Sequence, residues 1–523
     1  MTGTWTLVKL VLRRERLIAP LWIALMTALA VGQAGRYAKT FPTPESIGAF
    51  AREMAANKAL TAFAGEVHSA TVAGMAVWKN ADAIYLVTAL MAVLTVVRHT
   101  RREEESGRAE LVGAGVVGRF AGLTAALVVA VAAVVATGVC TAVGMIAAGY
   151  DVTGSLAFGA AIAGVGTVFA GVAALTAQLA EGGGAAVGLA AVVLGVGYVL
   201  RFLADGSGVT ALKWLSPLGW SHLVRPYGAD AFTALIPSVL VAGLVIAGAY
   251  ALAARRDVGL GVFPQRLGPA GSTSLRGPVA LAWRLQRRLL GVWVAAYAVA
   301  GLVLGTLAAS IPEVSRTGAA VQEFLRRYTA SPDATMTDAY LWLIVLSLGY
   351  VATLYPLTAL LRLRAEETGG HAELLLSGPV DRLRWAAGHV VVAFAGSALV
   401  LASAGVALGL VVGDPLGVLG GALVQVPAVW VPAGVGVLVL GVLPRAAVAL
   451  SWATFLFVNL FGEVLGPIMG IDYWIAKLFV PFPNLPMVLS GEAFTATPLL
   501  VMAVLTAALV GTGLVGLRRR TIG

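Results

Sequence analysis

Apolar runs recur from one end of the chain to the other, separated by short polar stretches, and most are long enough to cross a hydrocarbon core of about 30 Å as a helix. In order they predict twelve membrane helices, over residues 17–31, 81–97, 120–148, 155–179, 185–202, 235–254, 289–311, 339–361, 389–412, 416–443, 446–465 and 497–517. The expected fold class is an all-α integral membrane protein. Segment 32–79 is polar enough to be external, and its apolar patch at 47–54 suggests short interfacial helices; 312–338 is its counterpart further on. Segments 204–234 and 472–490 set Trp214, Trp220 and Trp474 beside Pro217, Pro481 and Pro483. That mixture predicts an aromatic belt or short re-entrant helices at the outer interface.

The pattern then repeats itself. Residues 278–523 follow the plan of 1–254, and the Gly- and Pro-rich stretch 255–277 reads as a cytoplasmic linker. Each half has a basic amphipathic segment, a span, an external segment, a second span, a charged loop and four more spans. LAWRLQRRLLGVW at 281–293 follows LVLRRERLIAPLW at 10–22, with Arg284 over Arg13, Arg287 over Arg16 and Trp293 over Trp22. The arrangement predicts two parallel six-helix repeats related by a pseudo-two-fold axis along the membrane normal. The basic segments are expected to lie among headgroups of the inner leaflet, which makes membrane lipids a partner. A basic region, an apolar run and Ala28-Leu29-Ala30 also fit a cleaved signal peptide. The internal return of the same arrangement favours retention of the first one.

The most specific feature is a pair of charged loops. RHTRREEESGRAELVGAGVVGR runs from Arg98 to Arg119, and RLRAEETGGHAELLLSGPVDRLR from Arg362 to Arg384. Glu104-Glu105-Ser106-Gly107 aligns over Glu366-Glu367-Thr368-Gly369. After a one-residue insertion at Gly370, Ala109-Glu110-Leu111 falls over Ala372-Glu373-Leu374 and Arg119 over Arg382. Glu103, Glu104, Glu105 and Glu110 sit among Arg101, Arg102, Arg108 and Arg119, so the first loop is nearly neutral and poorly suited to lipid anchoring alone. Its spacing predicts a short amphipathic helix with acidic and apolar faces, which is a docking surface. Solvation of a loop does not require the same residue order twice.

Composition narrows the classes. Only 12% of the 523 residues are charged, against about 25% in soluble domains. The net charge of +10 reads as orientation, because about two thirds of the Lys and Arg fall on the side that holds both termini, as the positive-inside rule expects. No nucleic-acid partner is therefore implied. Arg-rich, Ala-, Gly- and Val-rich usage points to a GC-rich bacterial genome and hence to a bacterial cell membrane, and the distribution of Lys and Arg puts both termini on the cytoplasmic side. The single Cys140 lies in an apolar run and offers neither a disulfide framework nor a thiolate metal site. No G-x-x-x-x-G-K-[ST] loop, nucleophile elbow or Cys/His cluster is present, so no catalytic residue, metal ligand or cofactor of its own is expected, and the chain cannot cleave ATP by itself. Polar groups within spans are costly unless they face a cavity or a partner. That makes Gln178, Gln425, Asn459 and Glu463 candidates for a substrate path, with Arg201 or Lys477 as a counter-ion for Glu463.

The repeated EE-[ST]-G…AEL…R loop, the basic segment before each half and Ser216-Pro217-Leu218-Gly219-Trp220 before the sixth span resemble the permease subunits of ABC-2 type exporters. The likeness is greatest to actinobacterial permeases for polyketide antibiotics such as tetronasin, with two six-span halves fused in one chain. The resemblance implies that the basic segments are elbow helices. It also implies that the loops form coupling helices seated in two cytosolic ATPase subunits, which bind the ATP and Mg. The implied coupling residues are Arg102, Glu103, Glu104, Glu105, Gly107, Arg108, Glu110 and Arg119 in the first loop and Arg364, Glu366, Glu367, Gly369, Glu373 and Arg382 in the second. His371 opposite Arg108 and Pro379 opposite Val116 make the two sites unequal. The implied function is ATP-driven export of amphiphilic or hydrophobic compounds, as in antibiotic efflux. The alternatives are a proton-coupled transporter of the major facilitator type, which also has two six-span halves, and a membrane enzyme. Against the former, the loop between the second and third spans lacks G-x-x-x-D-[RK]-x-G-[RK]; against the latter, no polar site is clustered.

Overall fold

The computed structural model describes residues 2–56, 58–257, 259–262, 275, 277–309, 328, 330, 331, 333–460 and 478–520. Among the described residues there is no β-strand, and eleven helical segments are long and apolar enough to cross a membrane. The remaining expected span, 446–465, is represented by a shorter apolar helix, and its end lies outside the described residues. The chain divides into two compact units, Met1–Gly268 and Pro269–Gly523.

In the first unit, α1 (Thr4–Glu15) and α2 (Ile18–Thr40) are separated by a break at Arg16 and Leu17. Pro20 in the first turn of α2 lacks a backbone N–H, so the ladder cannot run through from α1. α3 (Pro44–Ala56) and α4 (Lys58–Ala64) are the short helices of the polar segment. The side chain of Thr71 caps α5 (Val72–His99). The charged loop forms α6 (Arg101–Glu105) and α7 (Arg108–Gly113) and leads to α8 (Ala121–Ala147). Asp151 caps α9 (Val152–Leu179), which is surrounded by α5, α8, α10 (Gly183–Ser207) and α12 (Ile236–Arg255). Where α8 crosses α9, Gly138 and Gly159 meet backbone to backbone, a close approach that any Cβ would block. Between α10 and α12, the Trp- and Pro-containing segment folds as a 3-10 turn and α11 (Pro217–Leu223), whose cap Ser216 donates to the carbonyl of Gly197 at 2.6 Å.

The second unit differs at its start. Its basic segment is not a separate helix but the first turns of α13 (Pro278–Ala309). On the alignment of 281–293 over 10–22, Gly291 stands where the first unit has Pro20, so the hydrogen-bond ladder continues. The next span is bent at Thr353, between α14 (Met336–Ala352) and α15 (Leu354–Thr368), with Pro356 in the first turn after the bend. Then follow α16 (His371–Leu376), α17 (Arg382–Val412), α18 (Pro415–Val424), α19 (Val426–Val442), α20 (Ala447–Leu460) and α21 (Ala496–Arg519). α13 packs along α17, and α19 lies against α21 with Gly441 and Gly513 in contact.

Candidate functional site: the paired charged loops

The first loop is fastened by adjacent carboxylates with different partners. Glu104 accepts from Arg101 at 2.5 Å and from both Nη atoms of Arg256 at 2.8 and 2.5 Å. Arg101 is fully buried and also donates to the carbonyls of Glu181, Gly259 and Leu260 at 2.6, 3.0 and 3.2 Å. Arg256, the residue just after α12, donates from Nε to Gln178 Oε1 at 2.6 Å. Glu105 accepts from the Gly183 amide at the start of α10, at 2.8 Å; a carboxylate there suits the positive end of the helix dipole. Glu103 is shared by Arg14 of α1 at 2.9 Å and Arg108 at 3.1 Å. Arg119 donates to the carbonyls of Ala253 and Arg256. On α1, burial tends to raise the Glu15 carboxyl, but a 2.7 Å hydrogen bond with His99 and the charge of Arg98 outweigh it and hold the group below the usual carboxylate value.

The expected single amphipathic helix is broken in two, because Gly107 takes a left-handed conformation (φ 71°, ψ −5°) between α6 and α7. In the second loop the same conformation falls on Gly370 (φ 73°, ψ −1°), not on Gly369. The contacts follow the same register. Arg364 pairs with Glu367 as Arg101 does with Glu104, three residues on. Glu367 binds Arg520, the residue just after α21, as Glu104 binds Arg256 just after α12. Arg382 donates to the Arg520 carbonyl as Arg119 does to that of Arg256. The two loops are thus equivalent without any insertion, and the partner of Glu104 is Glu367 rather than Glu366. Glu366 instead accepts from Arg362 and from Trp385 at 3.3 Å each and lies 3.5 Å from His389, which is held by Gln286 at 2.8 Å.

These anchors leave the same pair of residues outward in both loops. Glu110 and Glu373 are exposed, and beside them Leu111 and Leu374 are 79% and 78% exposed. Arg102 and His371 are exposed as well.

The other candidates do not converge. Gln178 belongs to the loop cluster through Arg256. In the second unit, Gln425 is fully buried at the α18–α19 junction without a side-chain partner among the described residues, and Asn459 reaches the bend at Thr353 (3.5 Å) and the Phe455 carbonyl (3.0 Å). Glu463 and Lys477 lie outside the described residues. Arg201, expected as a counter-ion for Glu463, binds Asp82 at 2.6 Å and Asp205 at 3.4 Å instead.

That contact belongs to an ionic cluster in the first unit which sequence reasoning missed. Lys213 binds Asp205 at 2.5 Å, His222 lies 2.8 Å from Asp82, and Arg201 also donates to the carbonyls of Ala62 and Phe63. The cluster pins α4 and α11 to α5 and α10. Beside it, burial and the charge of Arg225 push His68 down to about 4. Asp82 and Arg201 were visible as lone charges in apolar runs, which is the available signal. Among the described residues no group of His, Cys, Asp and Glu is suited to hold a metal ion.

Among the described residues, eleven helices long and apolar enough to cross a membrane, joined by two equivalently built charged loops, define a polytopic helical membrane protein. The C-terminal domain family of the multidrug efflux system permease Rv1217c matches residues 275–518. Over 534 residues the chain is 38% identical to the multidrug efflux system permease protein Rv1217c of Mycobacterium tuberculosis, covering 100% of this chain and 95% of that protein. The chain belongs to this family of multidrug efflux permeases.

Proposed function

We propose that the chain is the membrane subunit of an ATP-driven exporter of amphiphilic or hydrophobic compounds in the bacterial cell membrane, with both termini and both charged loops cytoplasmic. In this reading residues 1–254 and 278–523 are fused six-span halves. Each loop docks on one of two separate cytosolic ATPase subunits, which bind the ATP and Mg. The observation that carries it is the duplicated build of the loops. In each, a Glu locked between two Arg ties the loop to the end of the unit's last helix, while a Glu-Leu pair on a short helix stands free. A rigid base with an exposed acidic and apolar tip suits a lever pushed by another protein. The name of the relative, a multidrug efflux permease, supports the class of cargo. Of the residues expected along a substrate path, Gln425 at the α18–α19 junction and Asn459 in α20 are the ones described in the second unit, and in this reading the path runs past them.

The test uses the protein from its native membranes. A P-loop ATPase without spans is expected to co-purify with it, and Glu110→Lys with Glu373→Lys to abolish both co-purification and ATP-dependent uptake of a lipophilic dye into inverted vesicles. Uptake that survives these changes and follows an imposed pH gradient without ATP would sink the reading and leave a proton-coupled transporter.

A further inference from the structure

Between α1, α7 and the start of α8, the first unit encloses a cavity of about 350 Å³, toward the small end of the roughly 300–1,000 Å³ of ligand sites. Leu7, Leu10 and Val11 of α1 line it with Val112, Val117 and Leu123. The same cavity is lined by four guanidinium groups, of Arg14, Arg108, Arg119 and Arg256, against two carboxylates, Glu103 and Glu104. Glu103 is divided between Arg14 and Arg108, and Glu104 between Arg256 and Arg101. Arg119 has no carboxylate partner among the described residues; its hydrogen bonds go to two main-chain carbonyls. The chamber therefore combines an apolar wall with surplus positive charge. Cations are repelled, and a neutral apolar molecule leaves the charge unanswered. An amphiphile with an acidic head answers both features.

We infer that this cavity is a binding site for one anionic phospholipid, its phosphate at Arg119 and Arg14 and the start of its acyl region against α1. The location favours a lipid over another acidic amphiphile. α1 leaves Trp5, Leu10 and Leu12 exposed beside Lys9, Arg13 and Arg14, the mixture of a helix at headgroup depth, and basic groups there draw anionic lipids. Gly122 lines the chamber, and a Cβ on it meets nothing within 4 Å, so a larger side chain there enters free space.

The full chain, purified in neutral detergent, is titrated with equimolar phosphatidylglycerol and phosphatidylcholine and read by native mass spectrometry. One retained phosphatidylglycerol is expected, preferred by about tenfold, and the Arg14→Gln/Arg119→Gln double variant is expected to bring the preference to about twofold or less. Gly122→Phe keeps every charge and is expected to lose the bound lipid by occupying its place. Size exclusion and circular dichroism report whether each variant is folded. Equal retention of the two lipids by the unaltered protein overturns the site, as does a preference that persists in both variants. Displacement of phosphatidylglycerol by a co-purified acidic compound that is not a lipid overturns the assignment to a lipid.

Discussion

Glu103 and Glu104 are neighbours in one short helix, and their environments predict opposite outcomes for the same change. Glu104→Ala removes the one carboxylate that, among the described residues, pairs with both Arg101, whose side chain is 0% exposed, and Arg256, at 10%. Removing one partner of a buried pair leaves an uncompensated charge and costs about 3–5 kcal/mol. Glu103→Ala frees Arg14 and Arg108, which are 40% and 55% exposed and regain water; an exposed pair of this kind contributes about 0–1 kcal/mol. The loss should fall on local opening of the loop rather than on the spans, since α6 is joined to the residue after α12 through Glu104 and to α1 through Glu103. Hydrogen–deuterium exchange of the amides in 101–113 reads that opening. At about 1.4 kcal/mol per factor of ten, Glu104→Ala should accelerate exchange by about two to three and a half orders of magnitude and Glu103→Ala by about fivefold or less. Similar acceleration in both variants would refute the assignment of Glu104 as the anchor.

Two further outcomes follow from the geometry. Gly107 and Gly370 are left-handed with open space where a Cβ would stand, so Gly107→Ala and Gly370→Ala should each cost about 1–2 kcal/mol of conformational strain, while Asn, which tolerates that conformation, should restore much of it. Equal exchange protection in the Ala and Asn variants would argue against strain as the cause. His68 is pushed down to about 4 in the folded chain, whereas an unfolded chain takes up its proton near the ordinary 6.5. The folded state therefore loses up to about 3 kcal/mol as pH falls from 6.5 toward 4. Thermal melts between pH 7.5 and 4 should flatten in His68→Gln, and an unchanged slope would contradict the buried neutral form.

The membrane helices were legible because an apolar run of span length has few other uses, and the twin loops were legible because the same words recur in both. Register was not. The match of Glu-Glu-[Ser/Thr]-Gly drew the two loops into alignment one residue early, since four similar letters outweigh a single conformational requirement. Only φ at Gly107 and Gly370 and the pairing of Glu104 and Glu367 with Arg256 and Arg520 set it right. Those arginines lie more than 150 residues from their partners in sequence, so no local pattern joins them, although both stand just past the last helix of their unit. The break between α1 and α2, and its absence in α13, rested on Pro20 against Gly291, a difference that hydropathy ignores. The cluster around Asp82, Arg201 and Asp205 stayed hidden because Asp82 stands 119 residues from Arg201, in a different apolar run.

The clasp between each loop and the residue that follows the last helix has a geometric corollary. An α-helix turns by about 100° and advances about 1.5 Å with every residue. One residue inserted into α12 or α21 would swing Arg256 or Arg520 away from its glutamate, and only the addition or removal of whole turns would bring the guanidinium back to the same side. The length of each closing helix is thus a phase setting, and fusions or deletions in either half are constrained by rotation as much as by membrane thickness.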